Sequence, residues 1–169
     1  MPLFHKFIYH KIMRPLRLKA EARIVNRLKG ATILEIGYFD DKFKRLLRKD
    51  FVYTGVDPDP IKYIQGMPKK SIEDFNPKEK FDIVVASNIL EHVPDPVKAI
   101  KKIKKLAKRY IFISVPYEPF YTISRFFVPE EEHFWTVHPN VLEHYFGKPI
   151  YQKFIHLKRT YMAIYAVNK

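Results

Sequence analysis

The hydrophobic positions of this chain switch repeatedly between a helical and an extended spacing. Over residues 16–29 (LRLKAEARIVNRLK), Leu18, Ala22, Val25 and Leu28 recur at three- and four-residue intervals. That spacing predicts a helix, and Gly30 is a natural stop. ATILEIG follows, a short apolar run closed by glycine, and reads as a buried strand. Asp40 or Asp41 is placed to cap a helix over 41–49, with Phe43, Leu46 and Leu47 inward. FVYTGVD (51–57) is a second strand, after which Pro58 and Pro60 open a helical turn over 60–66. Residues 67–80 lack a period, apart from a short edge strand around 71–75. FDIVVAS (81–87) is a third strand.

The clearest helix is 95–108. Val97, Ile100, Ile103, Leu106 and Ala107 make one apolar stripe, and Lys98, Lys101, Lys102, Lys104, Lys105 and Lys108 make the opposite face. YIFISV (110–115) is a fourth strand, stopped by Pro116. Residues 117–136, rich in aromatics, Pro and Glu, read as a helix or loop over the sheet, and 138–146 as a helix. Two β-rich runs, 150–157 and 160–168, meet around Lys158 and Arg159, a joint short enough to require an antiparallel hairpin.

Strands alternating with helices predict an α/β fold with a mostly parallel sheet and right-handed crossovers, to which the terminal hairpin is an addition. Ligands of such sheets bind outside the carboxyl ends of the strands. Function is therefore expected at residues 35–41, 57–59, 87–92 and 116–119.

Length and composition narrow the class. The 169 residues suit one domain, read as an α/β unit over 16–169 preceded by a basic, partly apolar arm over 1–15. There is no cysteine, which excludes disulfides and thiolate metal sites and fits a reducing, cytoplasmic setting. No apolar run approaches the roughly 20 residues of a membrane span, and the N-terminus lacks the uncharged core of a signal peptide. Thirty-one basic against 18 acidic residues give a net charge of +13. A field of that sign attracts RNA or an anionic surface, or else it belongs to a solvated, ion-paired exterior. The lysine face of 95–108 carries the same two readings.

Three segments hold candidate chemistry. Glu35-Ile36-Gly37-Tyr38-Phe39-Asp40-Asp41 takes a strand into a helix through a glycine turn, where backbone N–H groups can approach a ligand. Asp57 ends the second strand, 22 residues after Glu35, a position from which a carboxylate accepts hydrogen bonds from ribose hydroxyls; Asp57-Pro58 also reads as helix-start chemistry. Ser87-Asn88-Ile89-Leu90-Glu91-His92-Val93 leaves the third strand with small and polar residues next to a histidine. The other reading of that segment is a cap beside a surface histidine.

ILEIG, GVDPDP and FDIVVASNILEHVPDP, with SVPYEPFY and EEHFWTVHPNVLEHYF further on, resemble the class I S-adenosylmethionine (SAM) dependent methyltransferases, especially the small methyltransferase type 11 group. The resemblance covers residues 20–168 and is most specific from Phe81 to Val93. It implies a Rossmann-like three-layer α/β/α sandwich with a seven-stranded sheet and an antiparallel last strand. It also implies SAM as cofactor and an unidentified methyl acceptor, whether small molecule, RNA or lipid-linked. By position, Glu35, Gly37 and Tyr38 fall in the first cofactor loop, Asp57 and Pro58 at the ribose, Ile72 and Glu73 near adenine, and Asn88 and Ile89 near the methionine end. Glu91 and His92 match the segment that closes the pocket floor. One departure is clear: Phe39 and Asp41 stand at the family's second and third motif glycines, where close backbone approach or positive φ is usual.

Methyl transfer from a sulfonium needs in-line positioning and desolvation, and an oxygen or nitrogen acceptor also needs a base. His92 and His133 are the candidate bases, with Glu118 and Glu132 as partners; His133 also reads as packing beside Phe134 and Trp135. His138, before Pro139, is a helix-start residue. No ligand spacing supports a metal site. Tyr117, Phe120, Tyr121, Phe126, Phe127, Phe134 and Trp135 form either a substrate lid or the packing beneath one. Two further functions compete with methyl transfer. One is a non-catalytic binding module that keeps the fold, suggested by Phe39 and Asp41. The other is a dinucleotide oxidoreductase, opposed by the absence of GxGxxG.

Overall fold

The computed structural model describes residues 9–117, 134–155 and 158–167. A single π-helical turn, Tyr9–Met13, leads into α1 (Arg14–Val25), so the first helix begins two residues before its sequence pattern does. Then come β1 (Thr32–Ile36), α2 (Lys42–Leu46), β2 (Val52–Val56), β3 (Phe81–Ser87), α3 (Pro96–Leu106), β4 (Ala107–Pro116), α4 (Pro139–Phe146), β5 (Tyr151–Ile155) and β6 (Thr160–Ala166). Residues 1–8 of the arm and the lid candidates Phe120, Tyr121, Phe126 and Phe127 lie outside the described residues.

The sheet runs β2-β1-β3-β4-β6-β5, the first four strands parallel and the last two antiparallel. Leu34, Ile36, Val84, Ala86, Ile111 and Ile113 face α3 and α4, whose Ile100, Ile103, Leu106 and Leu142 complete that core. Ile33, Ile83, Val85 and Phe112 face the other way, beneath Leu18, Ala22 and Val25 of α1 and Phe43 of α2. Two helical layers enclose one sheet, the α/β/α sandwich that the resemblance implies. The hairpin is present too, with Lys158 at φ +65 in its turn.

Three expectations need correction. The sheet has six strands among the described residues, not seven, because 71–75 forms a turn. There the Ser71 hydroxyl donates to the Asp74 carboxylate at 2.8 Å and accepts from the Asp74 amide at 3.2 Å, local bonds that compete with sheet pairing. No helix forms over 60–66: Lys62 N–H donates instead to Phe39 O, and Gly66 turns the chain at φ +82. Finally, α2 stops at Leu46 and not at 49. Arg48 N–H donates to the Asn26 side chain, and its guanidinium takes the carbonyls of Asn26, Leu28 and Gly30, which pulls the backbone out of the helix.

Candidate functional site

At the carboxyl edge of the sheet, β1 ends in Gly37, whose N–H donates to Val56 O at 2.8 Å and whose φ is +75. A Cβ at Gly37 would lie 2.4 Å from Ile89 Cδ1, so the turn after β1 and the turn after β3 touch. Asn88 also takes a positive φ, 49°, with its N–H bonded to Ser114 O. Asn tolerates that conformation far better than a branched residue. Asp57 stands half-buried at the end of β2, its Oδ1 accepting from Asp59 N at 2.8 Å. Burial raises the Asp57 carboxyl above its ordinary value, against that hydrogen bond. Gly37, Asp57 and Asn88 thus occupy the exits of three adjacent parallel strands.

The remaining predicted residues take various places. The Glu35 carboxylate is buried, and desolvation raises it to about 8 despite a 2.6 Å hydrogen bond donated by Tyr53 Oη. The Tyr38 ring is fully buried against Gly55. Pro58 is exposed. Ile72 sits in the core beside Val56 and Phe75, while Glu73 is half-buried. Glu91 is 1% exposed, and its Oε1 lies 4.0 Å from Nε2 of the half-buried His92. The same turn is strapped by the segment before α4: Phe134 N–H donates to Glu91 O and the Trp135 indole to Val93 O. His133, Glu118 and Glu132 lie outside the described residues. His138 caps α4, its Nδ1 accepting from Asn140 N at 3.3 Å.

The departures from the glycine motif are accommodated. Phe39 lies under the Arg14 guanidinium, 4.8 Å from the ring centroid. Asp41 is bound by Arg45 at 2.5 Å and Lys62 at 2.8 Å, and the hydrogen bond from Lys62 leads the effects that hold its carboxyl below the usual range. The negative charge at the third glycine position is thereby neutralised by two cations.

Four polar residues of the site carry no sequence signal. From α1, Arg14 pairs with the buried Asp40 at 2.8 and 3.2 Å. Desolvation would raise the Asp40 carboxyl, but Arg14 and the Lys42 amide pull it below its ordinary value. One turn on, Arg17 donates to Glu21, Ser87 and Asn88. Glu21, fully buried, accepts from the hydroxyls of Ser87 and of Ser114 on β4. Tyr53 is the fourth, through Glu35. By contrast, the Gly37 turn, the acid Asp57 and the Ser87–Val93 segment each have a local pattern that sequence reading can find.

A family model described as a methyltransferase domain matches residues 4–148. The chain belongs to that family. Members of this family transfer the methyl group of SAM to an acceptor, and the fold is shared with solved methyltransferases. The domain superposes on magnesium protoporphyrin IX methyltransferase (ChlM) from Synechocystis PCC 6803 with bound S-adenosylhomocysteine at a TM-score of 0.68, with 11% identity, covering 92% of this chain and 83% of that one. For N-methyltransferase NodS from Bradyrhizobium japonicum WM9 in complex with S-adenosylhomocysteine the values are 0.66, 15%, 91% and 85%. A SAM-dependent methyltransferase from Clostridium acetobutylicum ATCC 824 gives 0.67 and 12%, covering 98% and 99%. In sequence, the domain is 28% identical over 116 residues to a ubiquinone biosynthesis O-methyltransferase of Actinobacillus pleuropneumoniae serotype 5b (strain L20), 57% of this chain. It spans about half the length of that relative, 50%.

Proposed function

We propose that this domain transfers a methyl group from SAM to an acceptor that enters over the 88–93 turn. The observation that carries the reading is the meeting of Gly37, Asp57 and Asn88 at the exits of β1, β2 and β3, in a chain of this family. The residues fit the cofactor. The positive-φ turn at Gly37 has no side chain on the cofactor's path, and the partly desolvated Asp57 carboxylate suits paired ribose hydroxyls. Glu35, Tyr38, Pro58, Ile72, Glu73 and Ile89 complete the set we assign to it. When bound, SAM supplies an electrophilic methyl on a sulfonium.

The chain's own residues do the rest. The packed contact between Gly37 and Ile89 fixes the spacing of two loops, and the strap from Phe134 and Trp135 holds the Glu91–His92 turn in place. His92 accepts a proton from an oxygen or nitrogen acceptor, with His133 as the second candidate base. The acceptor is a small molecule, an RNA or a lipid-linked compound. The cysteine-free composition fits a cytoplasmic site of action. No helix among the described residues is long and apolar enough to cross a membrane.

Calorimetric titration with SAM tests the reading. Saturable binding weakened at least about tenfold by Asp57→Ala is expected, equivalent to the loss of about 1.4 kcal/mol. Absence of binding by the native chain up to millimolar concentrations would overturn it and favour the non-catalytic module.

A further inference from the structure

A groove of about 620 Å³ lies outside β2, walled by α2 with the residues that follow it on one side and by residues 62–65 on the other. It is not the strand-exit site, although its floor, Tyr53, reaches Glu35 through its hydroxyl. The groove exists because two predicted elements are missing: no helix forms over 60–66 and no edge strand over 71–75, so β2 is the last strand of the sheet on this side.

Its lining combines two chemistries. Five cations, Lys44, Arg45, Arg48, Lys49 and Lys62, face one carboxylate, Asp41. Three aromatic residues lie among them: Phe51, buried in the core, the half-buried Tyr53, and Tyr63, which is 48% exposed. Lys44 lies over the Tyr53 ring at 5.4 Å and Lys69 over the Tyr63 ring at 4.9 Å. Asp41 is the informative member. Its Oδ2 is gripped by Arg45 from α2 and by Lys62 from the opposite wall. The two cations therefore already converge on an oxyanion.

We infer that this groove binds single-stranded nucleic acid, with backbone phosphates on Lys44, Arg45, Lys49 and Lys62 and a base against the exposed Tyr63. Cations tracking a backbone and exposed aromatic faces together are what an unpaired strand requires, whereas a duplex or a membrane surface uses the charge alone. The lysine face of α3 is the weaker location. Lys102 is committed to Asn76 and Lys104 to Tyr145 O, and the helix carries no aromatic residue to stack a base. The inference does not depend on methyl transfer, since a chain unable to bind SAM would keep the groove.

Fluorescence anisotropy with a labelled single-stranded RNA of about 12 nucleotides, at several salt concentrations, tests it. Lys44 and Lys49 are exposed, so the double variant K44E/K49E is expected to fold. It should bind at least about tenfold more weakly, with a salt slope shallower by about two. The pair K98E/K105E on α3 makes the same change in charge and should cost much less. Asp41→Asn frees Arg45 and Lys62 and should tighten binding several-fold. Tyr63→Ala should weaken single-stranded RNA about tenfold and leave duplex RNA nearly unchanged. The inference fails if the native chain does not bind the RNA, or if the two charge-reversed pairs lose affinity equally. It also fails if K44E/K49E loses only binding to phosphatidylserine vesicles.

Discussion

Glu35 is the most perturbed acid near the site. It is buried at the end of β1 with Tyr53 donating to it, and its carboxyl is pushed up to about 8 from 4.5. The folded state therefore holds a proton that the unfolded state releases. Stability from this group is complete below the unfolded value and declines as pH rises from about 4.5 towards 8. Glu35→Gln should flatten that decline. Thermal unfolding followed from about pH 5 to about pH 8.5 would show the native chain losing stability and the variant holding it; parallel curves would refute the assignment. At this scale the sequence conveyed residue type and spacing but not environment. Asp57 and Gly37 were legible because a strand end and a glycine turn are local patterns. That Glu35 is desolvated, that Tyr38 turns inward against Gly55 and that Ile72 is core depends on neighbours distant in sequence.

Among the elements, α1 and α3 contrast. Helix α3 separates into a buried stripe of Ala99, Ile100, Ile103 and Leu106 and a lysine face, so periodicity finds it, although Val97 is only half-buried and Ala107 and Lys108 open β4. Helix α1 buries Arg14, Arg17 and Glu21 beside Leu18, Ala22 and Val25. Period-based reading assigns charge to solvent, and so it found the helix but missed the half that touches the site. The consequence is measurable. Glu21→Ala strands the Arg17 charge, which should destabilise the chain by about 3–5 kcal/mol in urea unfolding. Replacing both with apolar residues should cost less than the two single changes summed, because the uncompensated charge is gone. Strict additivity would mean that the pair is not coupled. The 71–75 segment failed for the opposite reason: side-chain bonds between Ser71 and Asp74 close a turn that a pattern of apolar residues cannot reveal.

Across the whole molecule, 31 basic residues against 18 acidic ones make the compact state repel itself. Raising sodium chloride from about 10 mM to about 150 mM shortens the Debye length from roughly 30 to 8 Å. The melting temperature should then rise by about 2–4 °C, the equivalent of about 1 kcal/mol for a chain of this size. A flat or falling melting temperature would show that ion pairs such as Arg14–Asp40 and Arg45–Asp41 outweigh the net field.

The buried tie between α1 and the strand ends also dictates an order of assembly. Glu21 emerges during synthesis long before Ser114, its partner 93 residues later in the chain. At about 5–20 residues per second, that interval is roughly 5–19 s. Through that interval the helix lacks Ser114 and the Phe112 of β4 that packs with Leu18 and Val25. The polar half of α1 is thus completed only after β4 has been made, while its contacts with Asp40 and Phe43 are available much earlier.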